Sequence, residues 1–462
     1  MLFGTNGIRG RLNELSYDLV FKICYAFARW TYEKTKKDCI KIAVAKDMRL
    51  TGDYYKSLVI SGLLYGKSEV IDMGIVTSPT AEYYAHINKL DGLVIVTASH
   101  NPPEYNALKF VDFKGIPISP EKGIEIEKYM NDIRSSWNEI KSVYYDKHAT
   151  KAHSEGILND IIPNLSTNFL KENKTILFDP GNGTSSLIIP KLLNKINAKT
   201  ISINAHIDGT FPGRMSEPTP TNLSNTLQIA KYLNFDYGIA LDGDADRLIL
   251  IDEKGNFISG DKVCALGAIL MLEKRKGKVI TTIATSNVLR DVTNQYGGKI
   301  VYTKVGAPFI AEKVVEENAV FGGEEVGGLI NPNFSLAKDG PYWSIKILEL
   351  LQEYYEKNKK LSNMIEELLP KYHNEKLKTV CKHEHKREVI LKMQNILEKE
   401  ASSIITIDGI RADLNEFEWI LIRASGTEEY IRVFAEAKSH DKAKELANKY
   451  LKIVEEVIKK LQ

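Results

Sequence analysis

The stretch VIVTASHNPPEYNALKF, residues 94–110, decides how this chain is to be read. An apolar run ends abruptly in Ser99, His100 and Asn101, with two prolines just beyond. The same form recurs in IKIAVAKD (40–47), TILFDPGNGT (175–184), YGIALDGDAD (237–246) and KVITTIATSN (278–287). Short Ile/Val/Leu runs that stop at Gly, Asp, Ser or Asn suit strands covered on both faces, as in parallel sheets. Helical stretches lie between them. SYDLVFKICYAFARWTYEK (16–34) opens on a Ser/Asp cap signal and places Val20, Cys24, Phe27 and Tyr32 near one face. Strands alternating with helices predict α/β domains, and ligands in such sheets gather beyond the carboxyl ends of the strands. Ser99 and the Asp242–Asp246 cluster both fall at such ends.

The C-terminal quarter differs. A polar stretch, KYHNEKLKTVCKHEHKREV (371–389), follows Pro370. Then come SSIITIDGIRADL, EWILIRASG and EYIRVFAEA, which read as strands, and a final helix with Leu446, Tyr450, Val454, Val457 and Leu461 on its apolar face. This predicts a smaller α+β domain. Boundaries are expected near 150, 253 and 370, giving units 1–150, 151–253, 254–369 and 370–462.

Composition narrows the function. The 462 residues are 43% hydrophobic and 26% charged, as in ordinary globular proteins, and the net charge of +2 gives no global basic field for nucleic acid. Cys24, Cys39, Cys264 and Cys381 are scattered, which reads as free thiols in a reducing compartment. The opening MLFGTNGIRG lacks the basic and apolar regions of a signal peptide, and no apolar run reaches the ~18 residues of a membrane span. A cytoplasmic chain with no membrane partner is expected.

In LDGDADRLILI (241–251), Asp242, Asp244 and Asp246 alternate with Gly243 and Ala245. Three carboxylates this close repel one another unless a cation sits among them, and hard oxygen ligands suit Mg²⁺. A solvated acidic turn is the plainer alternative. An EF-hand is rejected: Arg247 stands where that loop needs Gly, and the flanks read as strands.

Ser99 lacks the G-x-S-x-G context of a hydrolase nucleophile. In an extended chain His100 would point away from it, so a Ser-His-Asp triad is not expected. A serine that carries a phosphoryl group fits better, with a simple cap or turn as the alternative. Lys109 could neutralise phosphate charge or move a proton. GTNGIRG (4–10) lets backbone approach a ligand while Arg9 reaches in, or is merely a turn. RASGTEEYIRV (423–433) offers Ser425, Gly426 and Thr427 as an oxyanion cradle beside Arg423 and Arg432, within a hairpin turn. FGGEEVGG (321–328) presents Glu324 to sugar hydroxyls or is a bare acidic hairpin. CKHEH (381–385) has no second ligand pair and reads as a solvated face, not a zinc site.

Together TASHNP, DGDADR, GGEEVGG and RASGTE, in this order, resemble the signatures of the α-D-phosphohexomutase family, which includes phosphoglucomutases, phosphomannomutases and phosphoglucosamine mutases. The resemblance runs from GTNGIRG to RASGTEEYIRV. It implies three related α/β domains with mixed sheets and a smaller C-terminal α+β domain, heart-shaped around a central cleft. It implies a phosphorylated Ser99, with Asp242, Asp244 and Asp246 holding Mg²⁺ that the Ser99 phosphate completes. Arg9, His100 and Lys109 match the positive or proton-transferring groups around it. Arg247 and Glu324 match substrate ligands, and Arg423, Ser425, Gly426 and Thr427 the distal phosphate loop. The implied reaction interconverts hexose 1- and 6-phosphates through a sugar 1,6-bisphosphate, which also serves as activator. The implied partners are small sugar phosphates, and the chain a monomer or homodimer.

The sequence departs from that pattern where the sugar is chosen. Val326 stands where relatives usually have Ser, Gly328 where many have His, and Ala307 in KVGAPF (304–309) where Asp or His is common. Ala424 and Glu429 replace prolines of the distal loop. A weakened member that binds sugar phosphates without efficient turnover is the alternative. A phosphatase-like enzyme with an aspartate nucleophile is a further rival, and leaves TASHNP unexplained.

Overall fold

A computed structural model describes residues 2–5, 7–426 and 428–461. Among the described residues the strands form four sheets. The first runs, in spatial order, Ile8–Arg11, Tyr105–Val111, Gly92–Val96, Ile40–Lys46, Ser68–Ile75 and Val143–Tyr145. The second runs Phe257–Ile258, Leu248–Ile251, Tyr237–Leu241, Thr175–Asp179 and Lys199–Ser202. The third runs Lys299–Thr303, Lys278–Thr282, Phe321–Gly323 and Leu329–Ile330. The fourth, antiparallel throughout, runs His373–Val380, Tyr430–Ala437, Trp419–Ala424, Ile410–Asp413 and Ser403–Ile405.

The apolar runs are central strands, and several are buried end to end. The first three sheets are mixed, as the resemblance implies, and not all parallel as the apolar runs alone suggest. Each of the first three sheets has parallel strands at its centre, but one strand of each turns back on itself as an antiparallel hairpin. Gly92–Val96 pairs with Tyr105–Val111, Tyr237–Leu241 with Leu248–Ile251, and Phe321–Gly323 with Leu329–Ile330. The connections of these hairpins are the segments holding Ser99, Asp242–Asp246 and Glu324–Gly328. In the fourth sheet, Trp419–Ala424 and Tyr430–Ala437 enclose the Ser425–Gly426 turn. All four signature segments are therefore hairpin connections.

The helix Tyr17–Thr35 is capped by Ser16, which accepts from the Leu19 amide at 3.3 Å, and buries Val20, Cys24 and Phe27. Tyr32 is half-buried beside them. The polar stretch after Pro370 holds a strand that its composition hides. His373–Val380 is an edge strand with charged residues along it, a common guard against edge-to-edge pairing. CKHEH opens the helix His383–Leu397 and gathers no metal-ligand cluster among the described residues. All four cysteines are free, and no described helix is long and apolar enough to cross a membrane.

The fourth sheet is fastened to the third by a buried arginine. Arg411 donates to the carbonyls of Ile283 (2.9 Å) and Thr285 (2.8 Å) and to Asn287 Oδ1 (2.7 Å). Its guanidinium lies between the rings of Trp419 and Tyr302. Ile283 and Ala284 pack on Trp419 and Leu421 in one apolar cluster.

Candidate active site

Ser99 sits in the connection of the first hairpin with a left-handed backbone (φ 49°), uncommon for a residue with a side chain. Its neighbours over-determine that shape. Arg49, fully buried, donates to the carbonyls of Ser99 (2.9 Å), Asn101 (2.6 Å), Pro102 (2.5 Å) and Tyr105 (3.0 Å), and pairs with Asp47. Thr97 Oγ1 accepts from the Ser99 amide at 2.9 Å. Ser216 Oγ donates to the Ser99 carbonyl (3.0 Å) and accepts from the Gly243 amide (2.9 Å), which ties the serine loop to the acidic loop. A Cβ on Gly243 would sit 2.7 Å from Ser216 Oγ and 3.0 Å from the Ser99 carbonyl, so glycine is required there.

This packing brings Ser99 Oγ within 2.7 Å of Asp242 Oδ2. Asp242, Asp244 and Asp246 are buried, with ligand oxygens within 4.8 Å of one another. Asp244 Oδ1 and Asp246 Oδ1 are buried without a hydrogen-bond partner, so two oxygens are left for a hard cation. Burial and the charges of Asp246 and Asp244 push Asp242 well above the usual carboxylate range. Burial works the same way on Asp246, but Lys109, Lys338 and Arg247 outweigh it and hold that carboxyl low. A solvated acidic turn is excluded by this burial, and the donor set fits Mg²⁺.

Lys109 reaches the trio from the return strand of the serine hairpin, 2.6 Å from Asp244 Oδ2 and 3.1 Å from Asp246 Oδ2. Burial opposes its charge, but these carboxylates dominate and its pKa is raised. Arg9 lies on the strand beside Lys109's and donates to Asn101 Oδ1 at 2.7 Å. A Cβ on Gly7 would strike the Leu108 carbonyl at 2.0 Å, which explains that glycine. Arg247 pairs with Glu217 at 2.8 Å, and its amide donates to Asp242 Oδ1 at 3.2 Å. Burial and the neighbouring charges of Arg247 and Arg9 drive the His100 pKa far down. One correction concerns the direction of the His100 side chain. Because Ser99 is not extended, His100 Nδ1 comes to 3.4 Å from Ser99 Oγ.

Glu324 is buried and accepts from Lys338 Nζ at 2.8 Å, while the adjacent Glu325 turns away to Thr282. Lys338 also pairs with Asp246 at 3.2 Å, so it joins the Glu324 loop to the acidic loop. A Cβ on Gly328 would lie 2.4 Å from Lys338 Cδ. The lysine thus fills the space a side chain at 328 would take.

In the last hairpin, Arg423 Nε donates to Asp408 Oδ2 at 2.8 Å, and Arg432 stands opposite it in the ladder. The same Asp408 oxygen accepts from the Val305 amide in KVGAPF at 3.0 Å. Ser425 Oγ accepts from the Glu428 amide (3.1 Å) and keeps its own hydrogen to donate, and Lys386 braces the turn through the Ser425 carbonyl (2.7 Å). Gly426 is open on its Cβ side, and Thr427 lies outside the described residues. This loop belongs to the fourth sheet and is separate from the cluster around Ser99.

Arg49, Ser216 and Lys338 went unnoticed in the sequence. Arg49 follows the carboxyl end of the strand Ile40–Lys46, a position that could have drawn attention. Ser216 and Lys338 carry no local signal and reach the site only through the tertiary fold.

Four family models match in order: Phosphoglucomutase/phosphomannomutase alpha/beta/alpha domain I over residues 1–137, domain II over 151–255, domain III over 259–372 and the C-terminal domain over 369–453. The chain belongs to the phosphoglucomutase/phosphomannomutase family and is an intramolecular phosphotransferase of the isomerase class. It is 39% identical over 464 residues to a phosphoglucomutase/phosphomannomutase of Thermococcus kodakarensis, covering 99% of each chain. It is 37% identical over 464 residues to a probable phosphoglucosamine mutase of Methanopyrus kandleri, covering 100% of this chain and 99% of that one. A crystal structure of a family protein from Burkholderia thailandensis shares the fold, with a TM-score of 0.83 at 24% identity over 99% of this chain and 97% of that one.

Proposed function

We propose that this enzyme interconverts hexose 1-phosphates and 6-phosphates, of glucose, mannose or glucosamine, through phospho-Ser99. The observation that carries this reading is Ser99 Oγ, 2.7 Å from Asp242 in a buried acidic trio with two unpartnered oxygens. Mg²⁺ held by Asp242, Asp244, Asp246 and the Ser99 phosphate would supply charge neutralisation during transfer.

The chain's own groups do the rest. Arg9, Lys109 and Arg247 surround the phosphate position with fixed positive charge. Phospho-Ser99 passes its phosphoryl group to the free hydroxyl of a sugar monophosphate: the Ser99 Oγ–P bond breaks and a sugar O–P bond forms. The proton given up by the attacking sugar hydroxyl is delivered to Ser99 Oγ as the Oγ–P bond breaks, so none is gained or lost overall, and His100 Nδ1, 3.4 Å from Ser99 Oγ, is placed to relay it. The resulting 1,6-bisphosphate turns end for end and returns its other phosphoryl group to Ser99. Arg423, Ser425, Gly426 and Thr427 hold the phosphate that is not reacting, and Glu324 takes sugar hydroxyls. Positioning and charge neutralisation dominate such a transfer.

Lys338 favours turnover over the weakened-member reading. Gly328 lacks a side chain, but the gap is filled by a cation that contacts both Glu324 and Asp246.

The test is a parallel assay of glucose, mannose and glucosamine phosphates with Mg²⁺ and the matching bisphosphate, with intact-mass analysis. Isomerisation by a protein carrying one phosphate on Ser99, lost by at least about a thousandfold in Ser99→Ala with the fold retained, is the expected result. Normal turnover by Ser99→Ala would refute the mechanism.

A further inference from the structure

The acidic loop is clasped from two sides by other parts of the chain. On one side Ser78 donates from its amide to the Asp244 carbonyl (2.9 Å) and from Oγ to Asp244 Oδ2 (2.5 Å). On the other, the Gly340 amide donates to the Ala245 carbonyl (3.2 Å). Ala245 is a buried, left-handed alanine (φ 66°), so the loop's shape needs holding.

A buried chain of hydrogen bonds joins the two clasps. Thr77, the cap of the Ser78 helix, donates from Oγ1 to Thr80 Oγ1 (2.7 Å). Thr80 Oγ1 lies 2.8 Å from His153 Nδ1, and His153 Nε2 lies 2.8 Å from Asp339 Oδ2. The other Asp339 oxygen caps the Gly340–Lys346 helix through the Tyr342 amide (2.9 Å). Donor counting sets the direction. A carboxylate only accepts, so Nε2 carries the hydrogen. The Thr80 hydroxyl accepts from Thr77 and keeps its own hydrogen, which Nδ1 accepts when Nε2 carries the imidazole's hydrogen. Every member is satisfied with a neutral imidazole. Hydroxyl, imidazole and carboxylate have the composition of a nucleophilic triad, but Thr80, His153 and Asp339 are all buried, and Tyr83 stacks on the imidazole at 5.0 Å. No substrate reaches them.

We infer that His153 is a positioning residue for the metal loop. It lies in the stretch matched by the domain II model. It pins the Ser78 helix, in the domain I stretch, to Asp339 in the domain III stretch. Both clasps then hold Asp242, Asp244 and Asp246 in one arrangement. The inference rests on the reading of these aspartates as metal ligands, and is independent of which sugar is used.

The test titrates full-length protein, without sugar, with Mn²⁺ and follows the free-ion electron paramagnetic resonance signal. His153→Phe keeps a ring and removes both hydrogen bonds, and Thr80→Val removes one hydroxyl. Both are expected to bind Mn²⁺ more weakly, by about tenfold or more for His153→Phe. His153→Gln, whose amide can donate to Asp339, is expected to recover part of the loss. KM for sugar phosphate should move far less than the metal constant. Folded His153→Phe and Thr80→Val that bind Mn²⁺ as wild type does would overturn the proposal. If His153→Phe does not fold, Thr80→Val decides. Wild-type protein that shows this metal pattern but isomerises no sugar phosphate supports the inference while refuting the mutase reading. Wild-type protein that binds no Mn²⁺ overturns the inference together with the metal assignment.

Discussion

Gly328 and Lys338 show how one missing side chain and one distant one make a single feature. Lys338 is buried, with its ammonium between Glu324 and Asp246. Charge-assisted hydrogen bonds of this kind contribute about 1.5–3 kcal/mol each. Lys338→Met keeps the length and removes the charge, and it is expected to lower kcat/KM by about 10- to 100-fold in steady-state assays. An unchanged kcat/KM would make Lys338 a bystander. Ser99 and the three aspartates were legible because their chemistry lies in contiguous motifs. Lys338 was not, since nothing in LAKDG says where that side chain goes. The orientation of His100 was misjudged for a different reason: it depends on one left-handed φ at Ser99, set by Arg49 fifty residues earlier.

Among elements, the helix Gly260–Lys274 carries a buried acid at its start. Asp261 Oδ1 accepts from the Ser286 amide at 2.8 Å, and Ser286 caps the helix Asn287–Gln295. Burial pushes Asp261 up to about 7 despite Lys376, and Glu436 and Glu325 add to the rise. A carboxyl raised in the folded state contributes stability below its unfolded pKa of about 3.9 and loses it as pH rises through about 7. Asp261→Asn is therefore expected to gain about 2.7 kcal/mol relative to wild type between pH 5 and pH 8, about 1.36 kcal/mol for each of the two units from pH 5 to the folded pKa. Urea unfolding at the two pH values measures it, and a pH-independent difference would remove the cause assigned here. Element types were easiest to read where apolar runs are buried on both faces. His373–Val380 was missed because an edge strand buries little and carries its charges as protection.

At the scale of the molecule, the four signature loops share one device, a hairpin connection in each of four sheets. Their order along the chain was legible, and so was the hairpin at RASGTE; the hairpins holding Ser99 and Asp242–Asp246 were not, because those runs read as parallel strands. On the proposed reading, the repelling aspartates make the stability of the molecule depend on Mg²⁺. Mg²⁺ at a hundred times its dissociation constant should add about 2.7 kcal/mol to the unit that binds it, and chelation should abolish isomerisation. Calorimetry with and without Mg²⁺, repeated on Asp244→Asn, checks this: the Mg²⁺-dependent rise in melting temperature should vanish in the variant. A wild-type melting curve indifferent to Mg²⁺ would count against the metal site.

Arg411 bears on how this chain can be cut. A protein ending at residue 369 would strip the Ile283 and Thr285 carbonyls and Asn287 of the guanidinium they share. It would also uncover Ile283 and Ala284, which Trp419 and Leu421 now shield from water. The last quarter is thus a lid over the loop that leaves the third sheet's inner strand Lys278–Thr282, and a truncated chain would be born with a sticky, unsatisfied wound.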